Sequence, residues 1–233
     1  MEDTENSNDI ISSLPDSVIH HIMSFLKKKE TVQTCILAKR WKNLWRTLPY
    51  LHLNLNDFGQ YFSMDSSQLF INFISNLLLL RDPTGLHTFQ LNCQAPIKCA
   101  DQIISGWALY ALRCKPRVLS LHVPQGAALQ ICHSVFKCAS LEDLHFGLFD
   151  TGYKINLMPR IITLPHLKRL QLDAMLLDEN FVENMFSGCP NLTDLHLSRC
   201  LLNIQSMVLK LGFGFGLGML DKGVESDDSE KLG

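Results

Sequence analysis

The side chains with which this 233-residue chain could do covalent, acid–base or metal chemistry are nine histidines and eight cysteines. Their spacing matches no familiar catalytic or metal-binding pattern. The cysteines, Cys35, Cys93, Cys99, Cys114, Cys132, Cys138, Cys189 and Cys200, contain no CxxC pair, so neither a zinc knuckle nor a redox dithiol is encoded. Most lie among apolar residues, which reads as buried reduced thiols in a reducing compartment. No GxSxG or HExxH run occurs. The alternating run Gly212 to Gly218 is not GxGxxG, and no P-loop Lys-Ser/Thr follows it. His122 and His145 could approach each other, but no carboxylate or cysteine stands at ligand spacing beside them. The expectation is a non-enzyme with no catalytic residues, no cofactor and no metal.

The histidines follow a pattern of another kind. Six segments share one alternation: LPYLHL at Leu48, LHTFQL at Leu86, VLSLHV at Val118, LEDLHF at Leu141, LKRLQL at Leu167 and LTDLHL at Leu192. Their fifth residues are His52, Gln90, His122, His145, Gln171 and His196. In a strand, alternate residues face opposite sides. The flanking leucines therefore turn inward and these polar residues outward. Paired in order, the six would form one polar column with about 4.8 Å between neighbours, a candidate target-binding face flanked by Glu142, Asp143, Lys168, Arg169 and Asp194. Outward strand positions are polar in any case, so the column is equally consistent with ordinary solvation.

The elements that would hold this column recur with the segments. Segment starts are 38, 32, 23, 26 and 25 residues apart, and the last three spacings fall in the leucine-rich-repeat range. Helix-like patterns run over 68–80, 100–112 and, shorter, 181–186, each with one apolar side. Pro116, Pro165 and Pro190 lie ahead of strands, where a missing amide costs least. Strands side by side with helices outside make a curved α/β solenoid whose core is continuous from unit to unit.

The N-terminal stretch is organised differently. Ser13 and Asp16 resemble a capping box, and Pro15 suits a first helical turn. Val18, Ile19, Ile22, Met23, Phe25 and Leu26 recur at three- and four-residue steps. Short helices are also expected from Glu30 or Thr31 to Leu37 and around Trp41, Leu44 and Trp45. So small a module cannot bury its own core, and helices of this kind offer leftover apolar positions to a partner's groove. Lysines and arginines between Lys27 and Arg46 outnumber acids seven to one, a local charge of 7 − 1 = +6. The aromatics fall on the apolar face, so a solvated face or an acidic protein fits better than nucleic acid. A net charge of −2 gives no general reason to expect nucleic acid, and no apolar run reaches membrane-spanning length.

The residues Leu14-Pro15-Asp16, Val18-Ile19, Ile22, Ser24-Phe25-Leu26, Thr34, Ile36-Leu37, Lys39-Arg40-Trp41 and Leu44-Trp45 resemble the F-box of plant F-box proteins with leucine-rich repeats. The resemblance implies a small three-helix F-box joined to an irregular repeat solenoid, with parallel strands on the concave face and helices outside. It implies docking on a Skp-type adaptor, and through it on a cullin of a ubiquitin ligase. By position Leu14, Pro15, Ile19, Ile22 and Leu26 would touch the adaptor, with Trp41 and Trp45 sharing that surface or anchoring the module to the repeats. The protein would work in the nucleus or cytoplasm as a substrate-recognition subunit; the alternative is a repeat scaffold or competitor that recruits no ligase. The family often adds a further C-terminal domain, and no counterpart is expected here. The expected division is a disordered 1–8, an F-box over 9–47, repeats over 48–204, and a Gly-rich acidic tail over 205–233 that either caps the last repeat or reflects truncation.

Overall fold

The computed structural model describes residues 13–26, 44–58, 64–83, 85–93, 100–149 and 159–203. Helix α1 (Asp16–Ser24) takes Pro15 as its N-cap, two residues past the expected cap Ser13. Proline is well suited to this position, because its fixed φ leads into the helix and it has no amide to leave unpaired. The other two helices expected of this module, with Trp41, fall outside the described residues.

From Tyr50 onward the chain repeats strand and helix. The order is β1 (Tyr50–Asn54), α2 (Met64–Leu80), β2 (Thr88–Asn92), α3 (Asp101–Arg113), β3 (Val118–Val123), α4 (Gln125–Val135), β4 (Asp143–Leu148), β5 (Arg169–Asp173), β6 (Leu176–Asp178), α5 (Glu179–Gly188), β7 (Asp194–Ser198) and β8 (Leu201–Asn203). Six strands form one sheet in the order β1-β2-β3-β4-β5-β7, and β6 pairs with β8 in a second. Every pairing is parallel. The helices expected over 68–80, 100–112 and 181–186 are α2, α3 and α5; α2 and α5 are longer than their apolar patterns, and α3 has the expected length one residue further on.

Two leucine-type columns line the helix-covered side. Leu51, Phe89, Leu119, Leu144 and Leu170 form one, and Leu53, Leu91, Leu121, Phe146 and Leu172 the other, none more than 3% exposed. They share a core with Phe70, Ile74, Ile104, Ala108, Ile131 and Phe181 from the helices. Phe136 links β4 to α5, with its ring edge-on to Phe146 and to Phe181, centroids 6.0 Å apart in both pairs. Leu195 and Leu197 continue the columns onto β7 but are only half-buried.

The register departs from the expected column at one strand. Gln90 pairs with Ser120, and Ser120 with His145. His122 instead pairs with Asn92 and Gly147, one column over. The third unit therefore starts at Pro116 rather than Val118, and the spacings become 38, 30, 25, 26 and 25 (86 − 48, 116 − 86, 141 − 116, 167 − 141, 192 − 167). Backbone hydrogen bonds at the strand starts obey the corrected frame. The carbonyls of Pro49, His87, Arg117, Glu142 and Lys168, each the second residue of its unit, each accept two amides from the next. Proline has taken the first leucine position of the third unit, so the leucine signature is missing there.

Helix α4 has no long apolar stripe and was not expected. It buries Ala127, Ala128, Ile131, Cys132 and Val135, and small residues let it lie close to α3. At Gly126 a Cβ would fall 2.1 Å from Asp101 Oδ2, so any larger residue there would have to push the Asp101 side chain aside.

The N-terminal module and the first unit are tied by polar contacts. Tyr50 Oη donates to the His20 carbonyl, and Thr47 Oγ1 lies 3.5 Å from His20 Nε2. Arg46 Nε donates to the Leu80 carbonyl at 2.6 Å, and the Asp82 amide to the Arg46 carbonyl at 3.1 Å. Arg81, 4% exposed, donates through Nη2 to the Leu48 carbonyl. Burial lowers the Arg81 pKa, an effect that nearby Tyr110, Cys114 and Asp82 partly offset.

Candidate functional site

Two surfaces stand out. The first is the outward side of α1. Ile19 and Met23 are fully buried, whereas Pro15, Val18, Ile22 and Phe25 are exposed, Phe25 by 77%. Positions 15, 18, 22 and 25 are three, four and three residues apart, which places them on one face of a 3.6-residue helix. Of the expected adaptor contacts, Pro15 and Ile22 lie on this face. Leu14 and Leu26 are half-buried, with Leu14 packed against the core. Ile19 and Trp45, 0% and 8% exposed, are core residues that hold the module to the first unit and do not present a surface. Val18 and Phe25 belong to the outward stripe and were not expected there; the same helical period would have found them, had inward and outward faces been separated.

The second surface is the side of the sheet that carries no helix. Its middle column is His52, Gln90, Ser120, His145, Gln171 and His196. Beside it runs Asn54, Asn92, His122, Gly147, Asp173 and Ser198. Gly147 makes room for a side-chain clasp in this second column. A Cβ there would stand 2.5 Å from His122 Nε2, because the imidazole lies across the glycine to reach Asp173 Oδ2 at 3.0 Å, two strands away. Arg199, from the arch after β7, meets the same carboxylate at 3.0 Å through Nε and 2.5 Å through Nη2. Burial pushes the Asp173 carboxyl upward, but Arg199 and His122 outweigh it and hold it below its ordinary value. His145 packs edge-on against His122, centroids 4.7 Å apart. Residues 51 positions apart meet in this clasp, and no local spacing announces it.

The strand starts carry alternating charge. Arg117 on the approach to β3 pairs with Glu142, and Lys168 Nζ reaches the same carboxylate at 3.4 Å. Arg169 at the start of β5 binds Asp143 Oδ2 through Nη2 at 2.6 Å and Nε at 2.9 Å. Successive units therefore read positive, doubly negative, doubly positive and, at Asp194, negative. These residues line a surface depression of about 330 Å³ together with His87, Val118 and Thr193. Exposed ion pairs add little stability, but their alternation penalises any slip in strand order.

The Arg117 hydrogen bond, with Lys168 nearby, holds the Glu142 carboxyl at about 2, far below its ordinary 4.5. A lowered folded-state pKa stabilises the fold above the unfolded value and loses that contribution as pH falls toward the folded one. Wild type is expected to lose more thermal stability between pH 4.5 and 2 than Glu142→Gln, measured by melting at stepped pH. Equal losses would show that the pair is uncoupled from folding.

No disulfide joins the described cysteines Cys93, Cys114, Cys132, Cys138, Cys189 and Cys200. Burial pushes Cys93 and Cys132 up to about 12 and Cys189 to about 11, so these three stay protonated and inert as nucleophiles. Among the described residues no three His, Cys, Asp or Glu side chains converge as a metal site, and no helix is long and apolar enough to cross a membrane.

A parallel leucine-lined sheet, helices among the described residues on one side only, and a small helical module tied to its first strand define a repeat solenoid with a helical N-terminal module. An F-box domain model matches residues 11–53, and a model of the LRR repeats of the FBD-associated F-box protein At5g56370 matches residues 108–214. The chain belongs to the F-box/leucine-rich-repeat proteins. It is similar to three Arabidopsis thaliana relatives. F-box/LRR-repeat protein At3g59210 is 34% identical over 82% of this chain and 40% of its own length. F-box/LRR-repeat protein At4g14103 is 33% identical over 84% and 51%, and F-box/LRR-repeat protein At1g55660 is 32% identical over 85% and 54%. The chain spans about half the length of the curated relatives it matches. No solved structure matches it.

Proposed function

We propose that the chain is a target-recognition subunit of a Skp–cullin–F-box ubiquitin ligase. In this reading residues 9–47 dock on a Skp-type adaptor in the cytoplasm or nucleus, and the repeats over 48–204 hold a target protein. Catalysis belongs to the partners; the chain's contribution is effective concentration, keeping the target's lysines near the conjugating enzyme. The observation that carries the reading is the outward stripe Pro15, Val18, Ile22 and Phe25 on α1. Four apolar side chains facing water on one short helix are costly unless covered, and the opposite side, Ile19 and Met23, already supplies the helix's own core.

The chain, co-expressed with a Skp-type adaptor, is expected to co-purify with it. Ile22→Glu/Phe25→Glu is expected to reduce capture at least a hundredfold with the circular dichroism spectrum unchanged, since two buried carboxylates would face an apolar groove without partners. Failure of the parent to bind would sink the ligase reading, and capture of the double variant at parental strength would sink the surface assigned to it. The open sheet face, with His52, Gln90, Ser120, His145, Gln171 and His196, is the proposed target-binding surface.

A further inference from the structure

Within the clasp on the open sheet face, His145 is the side chain whose surroundings suit one protonation state only. Its Nδ1 lies 3.4 Å from Ser120 Oγ, while its Nε2 is buried with no hydrogen-bond partner. A neutral imidazole tolerates this, because one ring nitrogen can remain an unused acceptor. An imidazolium has two donors and no acceptor, so protonation would enclose an N–H⁺ with nothing to receive it. Burying an unpaired charge costs far more than rotating a side chain.

We propose that His145 is a proton-operated side-chain switch on the target-facing side of the sheet: neutral, it lies down against His122, and protonated, it swings out and presents a cation to whatever crosses the strands.

The groups facing it from each neighbouring element agree. On β3, Ser120 offers one hydroxyl and His122 a second imidazole edge-on. On β5, Gln171 is its register partner, and Asp173 already accepts from His122 and Arg199. On its own strand, Asp143 is taken by Arg169. His196 follows across β7. The cluster's carboxylates are thus engaged, and a new cation there finds no open one. Burial, and then His122, lower the His145 pKa, against a partial pull upward from Asp173 and Asp143. Among the described residues no helix packs on this face to block the outward rotation. The switch belongs to the free chain and would stand even if the ligase reading failed.

Ring-selective NMR of the full chain, without adaptor or target, tests it. A ring-to-ring contact between His145 and His122 is expected at pH 8 and is expected to disappear as His145 takes its proton, with a midpoint below the ~6.5 of a free imidazole. His122→Gln is expected to move that midpoint toward 6.5. The proposal is overturned if the contact persists once His145 is charged. It is equally overturned if His145 titrates as a free imidazole, or if the chain unfolds before His145 protonates. Because the wild-type contact decides the matter alone, a poorly folded His122→Gln does not obscure the result.

Discussion

Phe146→Ala is expected to lower stability by about 3–5 kcal/mol, the usual cost of emptying an aromatic site in a packed core. Phe146 is 0% exposed and sits at the head of a ring chain that runs through Phe136 to Phe181. Its loss opens a cavity where β4, α5 and the loop between α4 and β4 meet. A solenoid core is continuous from unit to unit, so no separate subdomain remains unaffected. The melting temperature should fall by roughly 6 °C or more for a chain of this size. The adjacent substitution His145→Ala, on the other side of the same strand, should shift it by no more than about a fifth of that, since its side chain lies outside this core. Similar losses at both positions, by calorimetry, would mean that the two faces of the strand are not energetically distinct.

Arg81→Met, inside the first unit and next to its joint with the N-terminal module, is expected to cost about 1–3 kcal/mol. Methionine keeps much of the arginine stem but cannot donate to the Leu48 carbonyl, which would then be left without its donor. Removing a buried guanidinium also relieves a desolvation cost, so the loss should sit at the lower end of that range. The local readout is more telling than the global one. Amide exchange at Asp82, whose N–H donates to Arg46, should accelerate, while the amides of β4 and β5 stay protected. Unchanged exchange at Asp82 would show that Arg81 merely fills space.

Much of this architecture was legible in the sequence, because period-2 leucine spacing and the recurrence of about 25 residues are both forced by stacked parallel strands. The single error of register is instructive. Leu119, Leu121 and Val123 alternate inward, so frames two residues apart satisfy the same pattern. Alternation fixes which face a residue takes but not its partner across the sheet. The leucine that should break the tie is Pro116. Helix α4 escaped because alanines and a cysteine supply its buried side, although Pro124, which serves as its N-cap, was a usable start signal. On α1 the apolar residues were recognisable, yet pattern alone could not say which half turned to the core. Ile19 was therefore taken for surface, Trp45 was left open between surface and anchor, and Phe25 was passed over. The Asp173 clasp could not have been foreseen, since its members come from three units and depend on the absence of a side chain at Gly147.

The alternating charges at the strand starts restrict how this array can grow or shrink. Excising the unit that contains β5 would set Glu142 and Asp143 directly beside Asp194. Excising the unit of β4 would set Arg117 beside Lys168 and Arg169. Either deletion brings like charges into adjacent rows a strand's width apart, whereas removing both units together leaves Arg117 facing Asp194. Over this stretch the unit of charge complementarity is therefore a pair of repeats, not a single one.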